Sequence, residues 1–162
     1  MGMKVLESLK EVGATFEVID CDPSFADTAE FCSHYGYSLD ESANAILLEG
    51  KAESPVYAMC VVLATTRINV NKVARKRLGT RKASFASAEV TKELTGMEIG
   101  GVTPVGLPDD LPIWIDNLVM EAPKVIIGAG SRDAKIYLAP ENLLRFPNTH
   151  IVKGLSMPIV NK

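Results

Sequence analysis

Two near-continuous apolar runs, Ala43-Asn-Ala-Ile-Leu-Leu48 and Val56-Tyr-Ala-Met-Cys-Val-Val-Leu63, are joined by the polar link Glu49-Gly-Lys-Ala-Glu-Ser-Pro55. A strand covered on one face alternates apolar and polar residues, whereas a strand covered on both faces is apolar throughout. The runs therefore predict the central antiparallel strands of one hairpin. Such a strand leaves no room for a polar side chain without a partner, so Asn44 belongs at a strand end or in a site.

Helical patterns surround this hairpin. Val5, Leu6, Leu9 and Val12 recur at helical spacing ahead of Gly13, which predicts a short amphipathic helix over residues 3 to 12. Thr15 to Asp20 alternates and is rich in β-branched and aromatic residues, as a strand does. Asp27 with Glu30 has the spacing of a capping box, and Gly36 closes a second helix near 28 to 35. Asn69 or Asn71 can cap a third helix ending at Gly79, and Ser87 a fourth ending at Gly96. Leu111 to Ile115, Lys124 to Ile127 and Lys135 to Leu138 read as further strands, with a bend over Asp116 to Pro123, and Pro140 opens a short helix to Arg145. The tail from His150 has no strong pattern. At 162 residues, with no repeat or linker, the chain reads as a single α/β domain whose strands are partly antiparallel.

Two features fit no routine connection. The run Gly96-Met-Glu-Ile-Gly-Gly-Val-Thr-Pro-Val-Gly-Leu-Pro108 packs four glycines and two prolines into thirteen residues. It alternates glycine permissiveness with proline stiffness over a span longer than a turn requires, and it is either a wide surface turn or a binding loop. The segment from Arg67 to Lys82 holds seven of the seventeen Lys and Arg residues, with no acidic residue among them. With a formal net charge of -3 the whole chain has no general attraction for a polyanion, so nucleic-acid contact would have to come from such a local patch. A solvated helix face explains cations at a helix C-terminus but not their absence of counter-charges along the whole segment.

Other chemistry lacks parts. Cys21, Cys32 and Cys60 form no CxxC pair, which argues against a disulfide framework or zinc site and for a reducing compartment. His34 and His150 are isolated, so neither a metal centre nor a Ser-His-Asp triad can be assembled. Gly128-Ala-Gly130 follows an apolar run but is followed by a strand instead of a helix, so a dinucleotide fingerprint is absent. The N-terminus reaches Glu7 too soon for a secretory leader, and no apolar run approaches the roughly eighteen residues of a membrane span. The expected setting is cytoplasmic.

The order of a basic helix, Leu94-Thr-Gly96, Gly100-Gly-Val-Thr-Pro-Val-Gly106, a strand ending near Asp116, Ile127-Gly-Ala-Gly-Ser-Arg132 and Ile136-Tyr-Leu-Ala-Pro140 resembles the YbaK and prolyl-tRNA synthetase editing-domain family over about residues 26 to 155. The resemblance implies one α/β domain with a mixed, largely antiparallel, barrel-like sheet surrounded by short helices. It implies an aminoacyl-tRNA deacylase that edits mischarged tRNA and so serves translation fidelity, either freestanding or beside an aminoacyl-tRNA synthetase, with no metal and no organic cofactor. On this chain it assigns catalysis to Asn44 and Gly101 and substrate binding to Gly100, Thr103, Pro104, Gly128, Gly130 and Ser131. The acceptor end of the tRNA would lie on Arg67, Lys72, Arg75, Lys76, Arg77 and Arg81. Many members carry a lysine where this chain has Asn44, some carry a serine in place of Gly128, and some an acidic residue in place of Lys135. Asn44 donates and accepts hydrogen bonds but brings no charge, so water and ester would be held by an amide, with help from the substrate's ribose hydroxyl. The alternative is a binding module of the same fold that holds an acceptor end or an aminoacyl-adenylate-like ligand without turnover.

Overall fold

The computed structural model describes residues 1–159. In chain order its strands are β1 (Glu17–Asp20), β2 (Ala43–Gly50), β3 (Val56–Leu63), β4 (Thr66–Ile68), β5 (Ala83–Phe85), β6 (Ile113–Asp116), β7 (Val125–Gly128), β8 (Ala134–Leu138), β9 (Thr149–Val152) and β10 (Ser156–Pro158). The α-helices are α1 (Met3–Glu11), α2 (Thr28–Tyr35), α3 (Arg75–Leu78), α4 (Ala88–Thr95) and α5 (Asn117–Glu121).

The hairpin is the frame. β2 and β3 pair antiparallel from Ala43↔Leu63 to Gly50↔Val56. Alternate residues serve two cores: Leu47, Met59 and Val61 join one apolar cluster, while Leu48, Ala58, Cys60 and Val62 join another with Trp114 and Leu155. Burial on both faces is the reason the two runs carry so few polar residues. The hairpin lies inside a five-stranded sheet of order β5-β2-β3-β6-β9, in which β6 runs parallel to β3 and β9 parallel to β6. A second sheet, β1-β8-β7, is antiparallel and packs Ile127, Ile136 and Leu138 into the first cluster, where α1 adds Val5 and Leu9. β4 and β10 make a separate pair.

These strands form three sheets instead of the one barrel-like sheet expected. Between the two larger sheets the bridge is Ser42↔Ile126, at the head of β2. Past that bridge β2 and β7 share no ladder, and the cleft described below lies between them. Mixed pairing holds, with antiparallel ladders more numerous than parallel ones.

Local chemistry sets the helix ends. Ser87 Oγ accepts from the Val90 N–H at 3.1 Å, and Asn69 Oδ1 from the Lys72 N–H at 3.3 Å. The segment after Asn69 winds first as a π-helix over Val70–Ala74 and only then as α3. Asp27 precedes α2 but makes no capping bond, because its carboxylate is paired with Arg132 at 3.2 Å.

The unpatterned tail forms β9 and β10, pinned by a polar bond. Asp116, fully buried at the end of β6, accepts the Ser156 hydroxyl at 2.5 Å and the Ser156 N–H at 3.2 Å. Replacing it with alanine strands both donors, and hydrogen bonds to a charged partner contribute about 1.5–3 kcal/mol each. Asp116→Ala is therefore expected to lower unfolding free energy by about 2–3 kcal/mol in urea titration. A change within about 0.5 kcal/mol would show that the tail is held by packing alone.

Candidate functional site

The cleft between β2 and β7 is a cavity of about 290 Å³. Asn44 to Leu47 line it from one sheet, Ile126 to Gly128 and Lys135 from the other, and Thr28 and Phe31 of α2 from above. Gly100 and Val102 of the glycine-proline loop close one side, and the exposed side chains of Phe85 and Ile99 stand at the rim. The walls are mostly apolar, with a few polar groups that converge, as small-molecule sites are built.

Asn44, the polar interruption in β2, is half-buried and lines this cavity. Thr28, the first residue of α2, donates its hydroxyl to Asn44 Oδ1 at 2.6 Å. In this arrangement the oxygen is the acceptor and Nδ2 is left as a two-hydrogen donor. No protein acceptor takes Nδ2 among the described residues.

The two glycine loops are locked together by their backbones. Gly130 N–H donates to Gly101 O at 2.7 Å. A Cβ on Gly101 would lie 2.7–2.8 Å from the backbone of Ser131, and one on Gly128 would lie 2.2 Å from Val102 O and 2.8 Å from Gly101 O. Glycine is required at both positions because backbone meets backbone there. Gly100 needs it for another reason, its φ of +92°.

The assigned residues thus divide. Asn44, Gly100 and Gly128 line the cavity, whereas Gly101 sits behind it with its N–H donated to Glu98 O at 2.9 Å. That amide is already used inside the loop. Thr103 and Pro104 are buried under the loop, and the Thr103 hydroxyl has no partner among the described residues. Gly130 fastens the second loop, and Ser131 donates its hydroxyl to Asp133 at 2.5 Å, away from the cavity wall.

Three contributors were not assigned to the site from the sequence, the third of them having been named only as a departure from relatives. Thr28 and Phe31 come from α2, whose pattern announces a helix but not what it covers. Lys135 is the third. It is 6% exposed, and its Nζ donates to Gly100 O at 2.8 Å and lies 5.8 Å from the Phe31 ring centre. Burial holds its ammonium below the ordinary lysine range. The available signal was a lysine in an apolar strand, flanked by Ala134 and Ile136. Arg132 braces the mouth by donating to Pro23 O, Ile99 O and the Asp27 carboxylate.

The thiols take no part that the geometry supports. Burial pushes Cys60 up to about 12, and Cys32 is bonded to the Ser42 hydroxyl at 3.2 Å. His34 stacks on Phe25, and His150 meets Asn148. Among the described residues no group of three or more His, Cys, Asp or Glu side chains is placed to hold a metal ion, and no helix is long and apolar enough to cross a membrane.

The basic segment forms a second, open groove lined by Lys51, Asn71, Arg75, Arg81, Lys82 and Ser84. Arg75 also holds the chain together, donating to Asn71 O at 3.0 Å and Thr80 O at 2.9 Å. Arg67 lies on β4, Arg77 stacks over Trp114 at 5.2 Å, and Lys72 and Lys76 are exposed outside the groove. None of the six assigned cations makes an ion pair among the described residues. β5 runs from the groove to the cavity, since Ala83 and Ser84 line the first and Phe85 the second.

Known proteins share this architecture. The chain is 30% identical over 146 residues to the uncharacterized protein YwhH of Bacillus subtilis (strain 168), covering 86% of this chain and 90% of the relative. It is 28% identical over 99 residues to EbsC of Enterococcus faecalis (strain ATCC 700802 / V583), a candidate Cys-tRNA(Pro)/Cys-tRNA(Cys) deacylase, covering 61% of this chain and 58% of EbsC. Among solved structures, the hypothetical protein APE2540 superposes with a TM-score of 0.84 at 25% identity, covering 95% of this chain and 99% of that one. A candidate trans-editing enzyme for prolyl-tRNA synthetase gives a TM-score of 0.78 at 23% identity, covering 93% of each chain, and at that identity it speaks for the fold. The model of the aminoacyl-tRNA editing domain matches residues 22–146, a span that takes in α2, the hairpin, the basic segment and both glycine loops, and the chain belongs to that family.

Proposed function

We propose that this protein is a trans-acting aminoacyl-tRNA deacylase of the cytoplasm that hydrolyses the ester of a mischarged tRNA. The observation that carries the reading is the continuity, through β5, of a basic groove, whose Arg75, Arg81 and Lys82 make no ion pair among the described residues, with a small cavity lined by the Asn44 amide. The groove takes the phosphates of the acceptor end, which lose counterions on binding. The cavity takes the aminoacyl group, and at about 290 Å³ it lies at the small end of ligand pockets, which favours small side chains and rejects large ones by size.

In the reaction, a water oxygen adds to the ester carbonyl carbon and the bond from that carbon to the ribose oxygen breaks. The leaving ribose oxygen takes one proton of that water, relayed by the neighbouring ribose hydroxyl, and the amino acid departs as the carboxylic acid, which gives its remaining proton to solvent. Asn44 Nδ2, aimed by Thr28, positions the water and ester, and backbone groups of Gly100 and Gly128 form the walls against which the acyl group rests. This route uses no metal or organic cofactor. An aminoacyl-tRNA synthetase that produces the mischarged tRNA is the natural partner. A binding module that holds the acceptor end or an aminoacyl-adenylate-like ligand is the second reading, favoured by the neutral amide at position 44. Release of amino acid from mischarged tRNA separates the two.

The groove has its own test. Arg81→Glu combined with Lys82→Glu reverses two groove cations that make no ion pair among the described residues and leaves Arg75, which also holds backbone carbonyls, in place. The expected outcome is at least about tenfold weaker tRNA binding and a salt dependence flatter by roughly two phosphate contacts. Unchanged affinity and slope would remove this surface from the tRNA path.

A further inference from the structure

We infer that Lys135 is the electrophilic residue of the cavity: its ammonium hydrogen-bonds to the carbonyl oxygen of the bound ester and takes up the negative charge that forms there. The inference rests on the deacylase reading above and adds a catalytic residue to it.

A lysine has little reason to occupy this position for stability. β8 places Ala134 and Ile136 in the main core, so Lys135 points to the other face of its strand, beneath Phe31 of α2. The side chain is 6% exposed. Burying an ammonium is costly unless an anion repays it, and among the described residues none does. Asp27 at the cavity mouth is engaged by Arg132. What holds the ammonium is one backbone carbonyl, that of Gly100, and the face of one aromatic ring. An ammonium carries three N–H bonds, so donors remain for the cavity that the residue lines. A preformed cation that lacks a resident partner matches a charge that appears only during reaction.

The step balances as follows. Water adds to the carbonyl carbon, the carbonyl π pair moves onto oxygen, and Lys135 donates a hydrogen bond to that oxyanion without giving up its proton. The pair then returns, the carbon–ribose oxygen bond breaks, and the proton lost by water ends on the ribose oxygen.

Two adenosine probes test this on the full chain. One carries alanine in amide linkage at the 3′ position, a neutral stand-in for the ester, and the other carries an anionic tetrahedral phosphonate at the same place. Lys135→Met keeps the length of the side chain and removes its charge. The expected result is about 100-fold weaker binding of the phosphonate, less than about threefold for the amide, and a kcat on mischarged tRNA lower by about 100-fold with KM little changed. Lys135→Gln carries the same comparison if the methionine variant does not fold. Equal losses for both probes, or none for the phosphonate, overturn the assignment of Lys135 and leave the deacylase reading standing. A wild-type protein that binds neither probe and releases no amino acid overturns that reading and this inference together.

Discussion

Gly128→Ala is expected to abolish deacylation while the chain still folds. The added methyl would sit 2.2 Å from Val102 O and 2.8 Å from Gly101 O, and both are backbone atoms that cannot turn aside. Either the glycine-proline loop moves outward or β7 shifts against β8, where Gly128 faces Lys135 in register. Each response displaces cavity-lining groups by something near an ångström, a misplacement that costs roughly a hundredfold in rate. Gly128 has no left-handed φ, so the substitution tests close approach and not backbone strain. Urea unfolding should show a loss of about 2–3 kcal/mol. Near-normal rate and stability together would mean that the two loops are not locked as described.

Asn44→Ala should leave the fold nearly intact and lower kcat about 100-fold, the scale on which misplacing the reacting groups slows a reaction. The side chain is half-buried and its one protein bond is to the Thr28 hydroxyl, so its structural contribution is about 1 kcal/mol. Asn44→Asp sharpens the point. The aspartate can still accept from Thr28 but has lost the Nδ2 donor, so it should be as slow as the alanine variant. An aspartate variant with normal kcat would show that the donor is not what matters, and an alanine variant with normal kcat would remove position 44 from the chemistry.

What the chain disclosed by itself follows from which forces are local. The hairpin was legible because a strand covered on both faces has a distinctive composition, and the two runs pair antiparallel as expected. Ser87, Asn69, Gly36 and Gly79 punctuate helices by bonds or dihedrals confined to a few residues, and they stand where the pattern puts them. Asn44 was visible as a polar residue with no room to be one. Lys135 meets that same criterion in β8. It was noticed only as a difference from relatives, because a short strand offers too few residues to announce two-sided burial. Asp27 has the spacing of a cap, yet an arginine from a distant loop competes successfully for its carboxylate. The parallel pairing of β9 on β6 and the opening between β2 and β7 are decided by partners far along the chain, which periodicity cannot report. The glycine loops were read as a candidate site, but the reason for two of their glycines, backbone meeting backbone across loops, emerges only in three dimensions.

The central claim is that the cavity hydrolyses an aminoacyl ester, and the most direct measurement is release of radiolabelled amino acid from a panel of tRNAs mischarged with small and large residues. The wild-type protein is expected to free at least one small amino acid at about 100 times the buffer rate or faster and to spare the large ones. Release no faster than in buffer from every tRNA of the panel would contradict the account and leave a binding module in its place.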